Sequence, residues 1–330
     1  MHRCLVFLPL LLVAGCSTTL RGPQPIQVKA QAPTAKSNQA SQPEADLMYH
    51  LMVAELAGSS GDLDRAATNY VAAARLSSDP AVAERATRVA LAAGREDLAL
   101  TAAKRWHELA PAALEARQAV GLLSLRRGDL AEAVENLAAS VEATAGGRAE
   151  GLEGLAAMLS QESDNPAALQ VMQQVAAKYP KDRASYYAVA QVALQSNRPA
   201  VALAALDQAI ALSPQWRAAH LLKVEAYLKL QRPQAALDEL GGLLRKNPQD
   251  YDLRLEYAHT LLGLSRTREA LAEFRKLLKR EPDDARVLYP AALLAMDAQM
   301  DTEAKLWLQR LLALGERPDA ARYFLGRLAE

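Results

Sequence analysis

Residues 199–214, PAVALAALDQAIALSP, 233–248, PQAALDELGGLLRKNP, and 267–282, TREALAEFRKLLKREP, are three versions of one segment. Each has alanine in fourth place (Ala202, Ala236, Ala270) and closes on proline (Pro214, Pro248, Pro282), and successive copies lie 34 residues apart. Proline lacks the amide a helix needs and clashes with the preceding turn, so each copy reads as a helix with its stop. Outward from these three, the alanine recurs at Ala66, Ala99, Ala133, Ala168 and Ala304, in steps of 33 to 35 residues, and Pro111 and Pro180 extend the proline series.

Twelve residues before each alanine stands another mostly small residue: Ala54, Thr87, Gly121, Ala156, Ala190, Val224, Ala258 and Ala292. Small side chains recurring on two segments let two antiparallel helices approach closely. Between them fall Gly61-Asp62, Gly94-Arg95, Gly128-Asp129 and Asn197-Arg198, residues suited to a helix that ends in the left-handed conformation. The unit is therefore a helix, a turn and a second helix, repeated about eight times.

This small, small, proline skeleton resembles the tetratricopeptide repeat. The resemblance implies an all-α fold, a right-handed superhelix (α-solenoid) of about eight repeats over residues 45–330 with a C-terminal helix added. The family's early tryptophan is missing, Trp106, Trp216 and Trp307 lying elsewhere. Ala145-Gly146-Gly147-Arg148 is the least regular stretch, where a bend is expected. Pro318 to Glu330 repeats only a first helix, so that it either caps the array or marks a chain shorter than its relatives.

Composition agrees with a helical array. Apolar residues make up 51% of the chain and aromatics only 5%, so the apolar content is mainly Ala and Leu, which form helices. Lys and Arg number 38 against 38 Asp and Glu, leaving no basic footprint for nucleic acid. The two cysteines, Cys4 and Cys16, exclude a disulfide framework or zinc cluster in the body.

Both cysteines fall in an address segment. His2 and Arg3 give a positive start, Leu5 to Leu12 an apolar run, and Val13-Ala14-Gly15-Cys16 a small-residue cleavage site ending in cysteine. The run is too short to span ~30 Å of hydrocarbon, and the pattern resembles the lipobox of bacterial lipoproteins. That resemblance implies a signal peptide at 1–15, lipidation of Cys16 and, with Ser17 next, sorting to the outer membrane facing the periplasm. Residues 16–44, rich in Pro, Gln, Ala, Ser and Thr, read as a flexible lipidated tether.

No catalytic constellation accompanies the repeats. H-E-x-x-H, G-x-x-x-x-G-K-[ST], G-x-S-x-G and EF-hand patterns are absent, and His50, His107, His220 and His259 sit in four different repeats, too dispersed to converge on one metal. Neither enzyme activity, nor cofactor, nor metal is expected. Asp283-Asp284 and Glu44-Asp46 stand at repeat starts, where carboxylates cap helices. In the tetratricopeptide family the fifth, ninth and twelfth positions of each repeat commonly face the concave groove. The fifth position reads Leu51, Glu84, Gln118 and Glu153, then Tyr187, Leu221, Leu255 and Tyr289; the twelfth reads Leu194, Leu228, Leu262 and Met296 in the last four repeats. These eight C-terminal residues form the expected protein-binding groove, with packing between repeats the competing explanation of the twelfth position.

A narrower resemblance rests on residues 49–58, YHLMVAELAG, on Asn69-Tyr70, and on residues 79–88, DPAVAERATR. These are similar to the opening of the outer-membrane lipoproteins that partner the periplasmic carboxyl-terminal processing protease. That resemblance implies an adaptor that wraps the protease and delivers peptidoglycan hydrolases to it. The alternatives are a pilotin-like assembly lipoprotein for a pilus or secretion machine, and an activator of a peptidoglycan synthase.

Overall fold

The computed structural model describes residues 42–162 and 166–329. The signal peptide, Cys16 and most of the tether lie outside them. Among the described residues every regular element is a helix, and the helices come in pairs. The pairs are α1 (Gln42–Ser59) with α2 (Leu63–Leu76), α3 (Pro80–Ala92) with α4 (Glu96–Leu109), α5 (Leu114–Arg126) with α6 (Leu130–Ala143), and α7 (Arg148–Gln161) with α8 (Pro166–Ala176). They continue as α9 (Arg183–Gln195) with α10 (Pro199–Leu212), α11 (Arg217–Lys229) with α12 (Pro233–Lys246), α13 (Tyr251–Gly263) with α14 (Thr267–Arg280), and α15 (Ala285–Asp297) with α16 (Asp301–Ala313). A final helix, α17 (Pro318–Arg327), follows α16.

The repeated small residues lie where the helices touch. Ala66, Ala99, Ala133, Ala168, Ala202, Ala236, Ala270 and Ala304 are all fully buried, as are Ala54, Ala190, Ala258 and Ala292 of the earlier row. Helix axes can approach only where side chains are this short. Between them the core is filled by Leu and Val, with Phe274 and Leu137 among its largest fully buried side chains. One apolar cluster runs from Leu125 to Ala226, so packing is continuous across the irregular segment 145–148.

Seven of the eight first helices, all but α7, are followed by a left-handed residue among the described residues. The register is filled by Gly61, Gly94 and Gly128 early in the chain and by Asn197 (φ 54°), Gln231 (φ 56°), Ser265 (φ 58°) and Gln299 (φ 57°) later. A side chain in this conformation costs ~1–2 kcal/mol, and glycine returns ~0.5–1 kcal/mol of that as unfolded-state entropy. Changing Gln231, Ser265 and Gln299 to Gly is thus expected to stabilise the protein by about 0.5 kcal/mol or more per site. A urea melt of the triple variant checks this through a higher midpoint at unchanged slope.

Two polar registers tie the helices where the family tryptophan is missing. Within a repeat, position four bonds to a residue 19 places on: His50 to Asn69 at 3.0 Å, Arg254 to Glu273 at 2.6 Å, and buried His220 to Glu239. The other ring nitrogen of His220 lies 3.1 Å from the Pro214 carbonyl oxygen. Between repeats, position one reaches forward to the next turn: Arg183 to the Ser213 hydroxyl at 2.6 Å, Arg217 to Asp250 at 2.6 Å, and the Tyr251 hydroxyl to Asp284 at 2.8 Å.

Asp284 also caps α15, accepting from the Arg286 amide at 2.8 Å. Burial alone would raise its carboxyl pKa, but bonds from Arg286 and Tyr251 outweigh burial and hold it below the usual range. A depressed carboxylate contributes stability that is present above the unfolded value, near ~3.9, and lost as pH falls through the folded one. Asp284→Ala is expected to cost about 1 kcal/mol at neutral pH. Thermal melts of variant and parent should converge as the pH is lowered through that window.

Candidate functional site

Among the first helices α9 lies against both α7 and α11. The residues expected to line a groove divide by depth. Leu194 is 2% exposed and Leu255 6% exposed, so these two are core residues that offer a partner almost no surface. Leu194, at the end of α9, belongs to the apolar cluster with Val192 and Ala226, which makes it packing between repeats. Leu255 lies three residues before fully buried Ala258, on the side of α13 whose cluster includes Leu261 and Leu288.

Tyr187, Leu221, Leu228, Leu262, Tyr289 and Met296 are half-buried, each with one side on the core. The best-formed part of the groove lies around Tyr187. Its ring lies 4.7 Å from that of Trp216, whose other partner is the Arg183 guanidinium at 4.6 Å. Burial first, then the charges of Glu153 and Glu225, push the Tyr187 hydroxyl pKa above its ordinary value, so the group is a neutral donor at physiological pH.

Beside it, α7, α9 and α11 enclose a cavity of about 240 Å³ with an apolar floor of Ala156, Leu194 and Leu222. Its polar lining consists of Glu153, Glu225, Ser160, Gln191 and Gln195, and the Gln191 Oε1 is buried without a hydrogen-bond partner among the described residues. Another cavity, of about 360 Å³, is lined by Tyr289, His259, Arg286 and Arg317, with the Arg317 guanidinium 4.8 Å from the Tyr289 ring centroid. The Tyr289 cavity also includes Glu316, and Arg286 there is paired with Asp284 and Asp252, so aromatic surface stands beside charged groups of both signs at both sites. Tyr187 and Tyr289 follow from their register and Gln191 stands at the ninth position of the same repeat as Tyr187, whereas Trp216 and Arg317 lie off the periodic rows.

Among the described residues no group of three or more His, Cys, Asp or Glu is placed to hold a metal ion, and no helix is long and apolar enough to cross a membrane.

Comparison with known proteins places the repeat. Residues 154–216, 193–250 and 227–294 match family models described as tetratricopeptide repeat. The chain is 31% identical over 207 residues to a TPR repeat-containing protein of Pseudomonas aeruginosa, an alignment that takes in 60% of this chain and 34% of that protein. It thus spans about a third of the curated relative it matches. Among solved structures it is similar to a tetratricopeptide repeat protein from Parabacteroides merdae, at 14% identity and a TM-score of 0.39, covering 76% of this chain and 99% of that one. It is also similar to YrrB, a TPR protein with an unusual peptide-binding site, at 19% identity and a TM-score of 0.40, covering 56% and 94%. The described residues thus form an α-solenoid of helix pairs at a spacing of about 34 residues, and the stretch 154–294 of it matches the tetratricopeptide repeat.

Proposed function

We infer that this chain is a non-enzymatic adaptor. It is anchored to the outer membrane through Cys16, faces the periplasm, and uses its solenoid to hold a carboxyl-terminal processing protease and present peptidoglycan hydrolases to it. The observation that supports the binding role is the site at Tyr187, where an aromatic pair stands beside a cavity with an apolar lining, two carboxylates and the unpaired Gln191 Oε1. Such a surface suits an extended or helical peptide with a cationic side chain. The class of partner rests on the resemblance of residues 49–58 and 79–88 to the protease-partner lipoproteins, and the anchor rests on the lipobox.

Mixing purified components tests the reading. The protease should degrade a hydrolase substrate faster when this protein is added, and this protein alone should degrade nothing. Tyr187→Ala should weaken capture of the partner by roughly 10- to 30-fold, the loss of an interface anchor worth ~2 kcal/mol, while lowering the melt by only a few degrees through lost packing on Trp216. Substrate loss without the protease, or an unchanged rate with the adaptor present, would falsify it. Cys16→Ala should move the protein from the outer-membrane fraction to the soluble periplasmic fraction.

A further inference from the structure

The first helix keeps four large apolar side chains open to solvent. Two of them, Tyr49 and Leu56, stand at positions that the other repeats cover, while the positions of Met48 and Met52 are mostly open along the array. On α1, Met48 is 60% exposed, Tyr49 61%, Met52 58% and Leu56 67%. Tyr49 shares its register with Val82, Ala116, Gly151, Ser185, Ala219, Leu253 and Val287, all buried except half-buried Val82. Leu56 shares its register with Val89, Leu123, Met158, Val192, Ala226, Thr260 and Leu294, of which four are buried and three half-buried. In those repeats the cover is the second helix of the preceding repeat, as α2 lies against α3 and α10 against α11. No described helix precedes α1, so the inter-repeat contact surface stands open there.

The other end of the array is finished differently. On α17, Asp319, Arg322 and Arg327 are exposed, with Tyr323 the one large apolar-bodied side chain outside. Solenoid ends are ordinarily closed by polar faces of this kind. A row from Met48 to Leu56 runs about 12 Å along the helix at 1.5 Å per residue, the length of two to three turns of a crossing helix.

The charge around the row narrows the choice of occupant. Helix α1 has no Lys or Arg. Of its carboxylates, Glu55 is held by Tyr70 and Arg85 on the neighbouring helices and Glu44 is engaged as well, so exposed Asp46 is the charge a docked helix would meet. A second copy of α1 would set like charges against each other. A lipid surface would press these carboxylates into headgroups, where interfacial helices carry Lys and Arg instead. We propose that the open face of α1 is a docking surface for a partner's amphipathic helix that has an apolar stripe flanked by Lys or Arg and lies where a preceding repeat's second helix would lie. This proposal is independent of the groove at Tyr187.

The test uses the purified protein labelled with ¹³C at its methionine methyl groups. The probe is an 18-residue synthetic helix with Leu on one face and Lys on the other. Binding should shift the methyl signals of Met48 and Met52 and leave those of Met158, Met172, Met296 and Met300 in place. Met52→Ser combined with Leu56→Ser changes only exposed side chains, so circular dichroism should show an unchanged fold while affinity falls at least tenfold. Asp46→Lys should weaken binding several-fold and flatten its salt dependence, and Tyr187→Ala should leave it unchanged.

The proposal is overturned if the double variant binds the peptide like the parent, or if a peptide with Glu in place of Lys binds equally well. It is also overturned by a dimer in sedimentation that the double variant dissolves, which would make a second copy the occupant. Capture by vesicles of phosphatidylethanolamine and phosphatidylglycerol that depends on Met52 and Leu56 would assign the face to lipid and overturn it as well.

Discussion

Leu194→Glu and Leu255→Glu should each destabilise the protein by about 4 kcal/mol or more, among the largest effects of any single change in the array. Each removes a buried leucine worth ~1.5–3 kcal/mol of transfer free energy and adds the cost of a carboxylate in an apolar cluster. Both sites are nearly sealed, at 2% and 6% exposure, so the new carboxylate cannot reach water without opening the helix pair. Burial would raise its pKa in the folded state. The penalty is then complete above that raised pKa and shrinks as pH falls below it, because the folded state holds the proton more tightly than the unfolded one. Leu221→Glu, at a half-buried site, should cost only about 1–2 kcal/mol by the same accounting. Urea melts at pH 7.5 and pH 4.5 measure all three. Equal, small losses at Leu194 and Leu255 would return these residues to the groove.

The contrast between Leu255 and Leu221 marks how far a repeat can be read from sequence. Period fixes register, and register placed the helix pairs, because only small residues at two positions and a stop at a third let a 34-residue unit stack. Depth is another matter. Leu221 and Leu255 hold the same position, yet the neighbours of one leave it half open and those of the other close over it. Side-chain size in the adjacent repeats decides this, and no single-repeat pattern carries it. The polar latches were hidden for a related reason. His220 read alone is one more helical histidine, whereas set beside His50 and Arg254 in register it pairs with a residue 19 places on, as they do. Trp216 escaped the groove because it stands just before its repeat's first helix, off every periodic row, and reaches Tyr187 only through the stacking of repeats.

The glycines give the last expected result, in which one substitution has opposite signs according to what surrounds it. In a helix, Gly→Ala gains up to ~1 kcal/mol from backbone entropy alone. Gly154 of α7 has open space where a Cβ would be, so Gly154→Ala should realise that gain. At Gly121 of α5 the added carbon would stand 2.6 Å from the Leu137 Cγ, a side chain that is itself fully buried but can rotate by a few tenths of an ångström. Gly121→Ala should therefore lose about 1–2 kcal/mol. At Gly151, three residues before Gly154 on the same helix, the carbon would stand 2.6 Å from the Val141 carbonyl oxygen and 2.9 Å from the Val141 Cα. Backbone cannot step aside as a leucine can. Relief requires α7 to move off α6, opening the contact between the third and fourth repeats, and the expected loss is about 3 kcal/mol or more. Because Gly151 and Gly154 share one helix, propensity cancels in their comparison and the difference between the two melts isolates the close approach. Hydrogen exchange should then show faster opening of α6 and α7 in Gly151→Ala, with α13 to α16 unaffected, since a stacked repeat senses mainly its neighbours. A Gly151→Ala protein as stable as Gly154→Ala would mean that the two repeats are not held together by this contact.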